Sequence, residues 1–249
     1  MVAVGLIRGG GDDDRARPWS LPSGTLTPAA DADTGANTDA DSGADIDANS
    51  RPDNEPDRDE LPSSGPGTFT YEQSTGPILG AAGSVKRFHL AVESNLDADL
   101  PEFGQLTDST LADRRGWTSD KKQRFQRVPK EAPADFKIAL VTRETAHRLC
   151  QRVGLDIRVD GVPYTSCQAN GWVVINLDRW HLSVPDYVSA GTPLLTYRQY
   201  VINHEVGHQL GRVHEECPGP GKLAPVMQQQ TLGLEGCVAN PWPYPNAVT

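Results

Sequence analysis

No stretch of the 249-residue chain approaches the roughly 18 consecutive apolar residues of a spanning α-helix. The opening Met1 to Arg8 is too short for a signal peptide and carries no basic n-region, so no ordinary export signal is visible. An overall excess of Lys and Arg is also missing. The chain holds 23 Lys+Arg against 33 Asp+Glu. An acidic tail joined to a near-neutral body gives no electrostatic footprint for phosphates, so DNA and RNA are not expected as partners. Cysteine is absent from the first 149 residues, and the four that exist show no C-x-x-C spacing. A cysteine-based metal site is therefore not expected. Aromatics are scarce at 6%, and residues 12 to 65 contain only Trp19.

What is present falls into two parts. Residues 1 to 65 hold 5 Lys+Arg against 14 Asp+Glu, so most of the chain's net charge of -10 belongs to them. They are rich in Asp, Ala, Ser, Gly, Pro and Asn and cannot bury enough apolar surface to offset ordering, so a disordered acidic tail is expected over 1–65. An eight-residue repeat starts at Asp31 and again at Asp39, with alternating Asp as in calcium loops. The bidentate Glu such a loop needs at its twelfth position is replaced by Ser42 or Ser50, which leaves a solvated linker. A single folded domain is expected over 66–249, starting near Gly65-Pro66 where Phe69 and Tyr71 bring aromatics back.

Within that domain Phe88, Leu90 and Val92 alternate with His89, Ala91 and Glu93, predicting a half-buried strand over Val85 to Glu93. Further strands are predicted over Phe136 to Val141 and Trp172 to Leu177, and helices over Pro101 to Ala112 and Thr142 to Val153. The clearest helix starts at Thr196-Tyr-Arg-Gln199, which reads as a capping box, and ends at Gly211. Strands alternating with helices predict an α+β domain, a twisted mixed sheet with helices above it.

Residues 204 to 214 spell H-E-x-x-H-x-x-G-x-x-H. Four residues of helix is about 400° of rotation and 6 Å of rise, so His204 and His208 project from one face, one turn apart. Glu205 is offset by about 100° and can flank an ion without binding it, where a general base must stand. In a continuous helix His214 would point elsewhere, but Gly211 lets the chain turn back and bring it in. Three imidazoles leave a fourth position for water, the arrangement of a catalytic zinc site with one Zn2+ per chain. From this chain's own composition, the five fixed residues coincide by chance in roughly 10⁻⁵ of chains.

These residues resemble the metzincin clan of zinc metallopeptidases, whose extended motif they match at every fixed position. The resemblance implies a zincin-like fold and a methionine turn beneath the metal. Met227, in Ala224-Pro225-Val226-Met227, is the only methionine besides Met1. The segments from His214 to Gly221 and Pro225 to Gln230, with Trp172-Val-Val-Ile-Asn176 upstream, resemble an uncharacterised actinobacterial family of exported zincin-like domains. Astacins and serralysins carry a tyrosine two positions after this methionine, where the present chain has Gln229, so no transition-state tyrosine carries over. Only 22 residues follow Met227, among them Pro241, Pro243 and Pro245, so a long closing helix is not expected and the C-terminal part should be short. In metzincins the strand before the active-site helix is an edge that pairs with substrate. For Trp172 to Leu177 that reading and a core strand both stand.

Zinc-dependent peptide-bond hydrolysis with Glu205 as base is thus the expected function, on a peptide or protein substrate. A zinc amidase or deacylase acting on cell-wall material, and a non-catalytic zinc-stabilised binding module, are the alternatives. Local loop closure pairs Cys150 with Cys167 and Cys217 with Cys237. Disulfides imply an extracellular or envelope-associated protein; separately, a monomer is expected, and an upstream membrane or cell-envelope tether is compatible with this reading. His89, His147 and His181 are expected to play ordinary surface or hydrogen-bonding roles.

Overall fold

A computed structural model describes residues 58–94 and 96–247. The acidic repeat and the expected disordered tail up to residue 57 lie outside these. The described chain begins ahead of the Gly65-Pro66 boundary read from composition, and residues 58 to 65 already pack on the domain. The Arg58 guanidinium lies 3.5 Å from the buried Asp178 carboxylate. Ser63 O accepts from Glu144 N at 3.1 Å, and Leu61 packs against the core. These few anchoring side chains are invisible to average composition.

The strands are β1 (Phe69–Tyr71), β2 (Ser84–Glu93), β3 (Gln123–Arg127), β4 (Phe136–Val141), β5 (Arg158–Val159), β6 (Val162–Pro163), β7 (Cys167–Ala169) and β8 (Trp172–Asn176). The helices are α1 (Leu100–Ala112), α2 (Arg143–Gln151), α3 (Leu177–Leu182), α4 (Pro185–Ser189) and α5 (Leu194–Gln209). The fold is α+β. Its mixed sheet runs β1-β2-β4-β8-β7, with β3 alongside the first half of β2. β2, β3, β4 and β8 are parallel, while β1 and β7 run antiparallel to their neighbours. β5 and β6 form a separate short ribbon.

Alternation divides the side chains of the sheet between two layers. Phe88, Leu90, Val92, Ile138, Leu140, Val173 and Ile175 join one buried cluster, which also contains Phe103 of α1 and Ile202 and Val206 of α5. Ala91, Ala139, Val141 and Val174 join the other, with Ala146, Leu149 and Cys150 of α2. Helices thus cover both faces rather than lying above one. The smaller residues face α2, which is capped by Thr142, and the buried Glu93 carboxylate in turn accepts from the Thr142 N–H and hydroxyl at 3.0 Å.

Of the two readings of Trp172 to Leu177 the core strand is borne out, and one further expectation, at α5, needs correction. The β8 strand is internal, flanked by β4 and β7, and the strand at the sheet's end is β7. A tight return at Asn170 and Gly171, both at positive φ, joins the preceding strand β7 to β8 in antiparallel fashion, so that β7 flanks β8 on the side away from β4. The capping box at Thr196 does not form. The α5 helix starts two residues earlier, at Leu194, with Pro193 in the cap position at φ -57 and no side-chain cap. Pro193 keeps an extended ψ of 142 while its carbonyl accepts from Thr196 N at 2.9 Å, so Thr196 lies inside the first turn rather than capping it.

Candidate metal centre

Most of α5 is enclosed rather than amphipathic. Every residue from Tyr200 to Gly207 is buried, with α1, α3, β7 and β8 packed around it. The helix ends in a Schellman motif: Gly211 N donates to His208 O and Arg212 N to Gly207 O, both at 2.9 Å, with Gly211 at φ +82. The left-handed glycine turns the chain back on itself.

That reversal brings the third histidine to the first two. His208 Nε2 lies 3.2 Å from His204 Nε2 and 3.1 Å from His214 Nε2. Tetrahedral zinc bound at 2.0–2.1 Å would hold its nitrogens about 3.3 Å apart. The opposite nitrogens fix the tautomers. His204 Nδ1 lies 2.9 Å from Val226 O, and His208 Nδ1 lies 2.9 Å from Arg212 O. A carbonyl oxygen only accepts, so each Nδ1 carries the proton and each Nε2 presents a bare lone pair. Lone pairs facing each other at this distance repel unless a cation stands among them. The donor set therefore fits a metal ion, and these three residues can hold one.

The electrostatics favour the same state. Burial lowers the His204 pKa to about 3, and burial also lowers those of His208 and His214, so the imidazoles stay neutral and ready to bind. Glu205 is buried, Oε2 has no hydrogen-bond partner, and desolvation pushes its pKa up to about 8. A cation nearby would oppose that shift and favour the carboxylate.

The loop around Met227 fastens the site through its backbone. Three successive carbonyls are used: Val226 O accepts from His204, Met227 O from Glu215 N at 3.1 Å, and Gln228 O from the Tyr200 hydroxyl at 3.0 Å. Met227 is buried against α5 at Gly207, where an added Cβ would run into the methionine sulfur and the Trp117 ring. The two disulfides form the pairs expected from local closure, Cys150–Cys167 and Cys217–Cys237. The second ties the segment just beyond His214 to the C-terminal strand-like segment. Among the described residues no helix follows α5.

A cavity of about 320 Å³ opens on the centre, with Glu205, His208 and His214 in its wall. Thr165, Ser166 and Gln168 from β7 and the residues before it contribute to the same wall, as do Gln229, Thr231 and Leu232. The remaining histidines lie outside it. His89 Nε2 lies 2.8 Å from Ala132 O.

Residues 55–245 match the model of a family described as Protein of unknown function (DUF3152). The chain belongs to this family. No curated protein and no solved structure matches it. The family description assigns no chemistry, so the centre's function has to be argued from its own residues.

Sequence reasoning located the three histidines, Glu205, Gly211 and Met227. It missed the Val226 and Arg212 carbonyls, the Tyr200 hydroxyl and the wall supplied by β7. Backbone carbonyls leave no residue signature, and a three-residue strand is too short to show alternation.

Proposed function

We propose that this DUF3152 member is a zincin-like metallopeptidase that hydrolyses internal peptide bonds. The observation that carries the reading is the convergence of three neutral imidazoles beside a buried, unpartnered carboxylate that opens into a cavity. His204, His208 and His214 would hold zinc. Bound there, the ion supplies a Lewis acid that polarises a carbonyl and lowers the pKa of water.

The protein's own residues supply the rest. Glu205 takes the proton of the attacking water and delivers it to the leaving amine nitrogen, as its place directly after the first ligand permits. Val226 O and Arg212 O hold two imidazoles in the binding tautomer, the outer-shell role that tunes a metal centre. The terminal strand β7 offers backbone groups to an extended peptide lying in the cavity. Among the described residues of the cavity wall there is no Lys or Arg to hold a terminal carboxylate, and Asp156 is engaged by Arg158 at 2.7 Å. That favours an internal amide. Two disulfides favour action in an oxidising, extracellular or envelope compartment.

The test is zinc stoichiometry and peptide-library cleavage by the full chain, wild type beside Glu205→Ala. Cleavage abolished by a chelator and by the substitution, with zinc near one per chain in both, is the expected result. Bound zinc without peptide cleavage would turn the reading toward cell-wall amides or a binding module, and absence of zinc would overturn it.

A further inference from the structure

Three glutamines follow Met227 in succession, and the fold treats the middle one differently. Gln228 is buried, and its Nε2 donates to Gly233 O at 3.2 Å and Leu234 O at 3.1 Å. Gln230 is also buried. Its Nε2 donates to Pro225 O at 3.1 Å and Asn240 O at 2.8 Å, while Oε1 accepts from the Tyr187 hydroxyl at 2.6 Å. Both side chains knit the loop together. Gln229 is exposed, and no described residue holds its carboxamide. Its backbone is pinned, since its O accepts from Leu232 N at 2.8 Å, and the residue lines the cavity with Glu205, His208 and His214. The other side-chain amide of that wall is already committed, because Gln168 Nε2 donates to Gln209 Oε1 at 2.9 Å. In the same wall the Thr231 hydroxyl meets the Tyr197 hydroxyl at 2.9 Å.

We propose that the free amide of Gln229 donates a hydrogen bond to the substrate carbonyl oxygen as that oxygen becomes an oxyanion, making Gln229 a catalytic residue. The proposal rests on the hydrolytic reading above. In the step, the water oxygen bonds to the carbonyl carbon, the π pair moves onto the carbonyl oxygen, and Glu205 accepts the water proton. The C–N bond then breaks as that proton reaches nitrogen, and the C=O bond re-forms. Gln229 exchanges no proton. A neutral N–H₂ donor is suited to this because its donor capacity does not change with pH, and the pinned backbone keeps it beside the centre.

Gln229→Ala removes the amide, and Gln229→Glu keeps its shape while removing the donor. The full chain loaded with zinc is assayed on a fluorogenic peptide that the wild type cleaves, and calorimetry measures affinity for a phosphinic peptide, a tetrahedral anion. Both variants should lose on the order of 10²-fold in kcat, with KM and zinc content near wild type. Phosphinic-peptide affinity should fall in parallel, while an ordinary peptide should bind E205Q/Q229A as it binds E205Q. A wild-type kcat or an unchanged phosphinic affinity in either variant overturns the role of Gln229 alone. Failure of the wild type both to cleave any peptide and to bind the phosphinic peptide overturns the hydrolytic reading together with it.

Discussion

The backbone oxygen of Arg212 lies 2.9 Å from Nδ1 of His208, so the chain that leaves α5 returns within one turn to orient the last histidine of the helix. Gly211 makes this return possible at φ +82, in open space where a Cβ meets nothing within 4 Å. Gly211→Ala should therefore cost about 1–2 kcal/mol through backbone strain alone. It should also weaken zinc binding, because Arg212 O shifts. Urea unfolding of the metal-free protein and zinc titration separate the two effects.

Gly207→Ala tests a different constraint on the same helix. The helical backbone accepts alanine, but the new Cβ would meet the Met227 sulfur and the Trp117 ring. The expected cost is about 1–3 kcal/mol of overpacking, less the small gain in helix propensity. A variant more stable than wild type in thermal unfolding would contradict the packing described.

The metal-free protein should show opposing titrations. Glu205, raised from 4.5 to about 8 by burial, binds more protons in the folded than in the unfolded chain between those values. Its contribution is therefore lost as pH rises through about 8. The imidazoles are lowered from 6.5, so their contribution is present above that value and lost as pH falls. Metal-free protein should weaken by about 1 kcal/mol between pH 7 and 8, and Glu205→Gln should abolish that decline. Denaturant midpoints across this range measure it.

Cys217–Cys237 closes a separation of 20 residues that includes Met227. Replacing both cysteines by alanine should cost about 3 kcal/mol and lower zinc affinity. The loss follows from freeing both the segment after His214 and the turn whose Val226 O orients His204. Unfolding midpoints and competition with a chelator provide the two readouts.

The parts legible in sequence are those that depend on side-chain identity at fixed spacing. Phe88, Leu90 and Val92 announce a strand because only an alternating surface buries all three. His204, His208, Gly211 and His214 announce a centre because helix periodicity and one left-handed residue place the rings together. Other features depend on what surrounds a residue. Trp172 to Asn176 has the same side chains whether or not β7 lies beside it, so its internal place could not be read. Thr196 and Gln199 fit a capping box, yet Pro193 starts the helix first. The three glutamines are alike in sequence and become distinct only when Gly233, Leu234 and Asn240 fold back to occupy two of them.

The close fit of Met227 against Gly207 also bears on oxidant damage. A sulfoxide at Met227 would add a polar oxygen to a sulfur already lying where a Cβ on Gly207 could not fit. Burial shields that sulfur in the folded chain. If an oxidant reached it during transient opening, the displaced turn would carry Val226 O away from His204, and chemical injury to one thioether would be felt first at the histidine cluster.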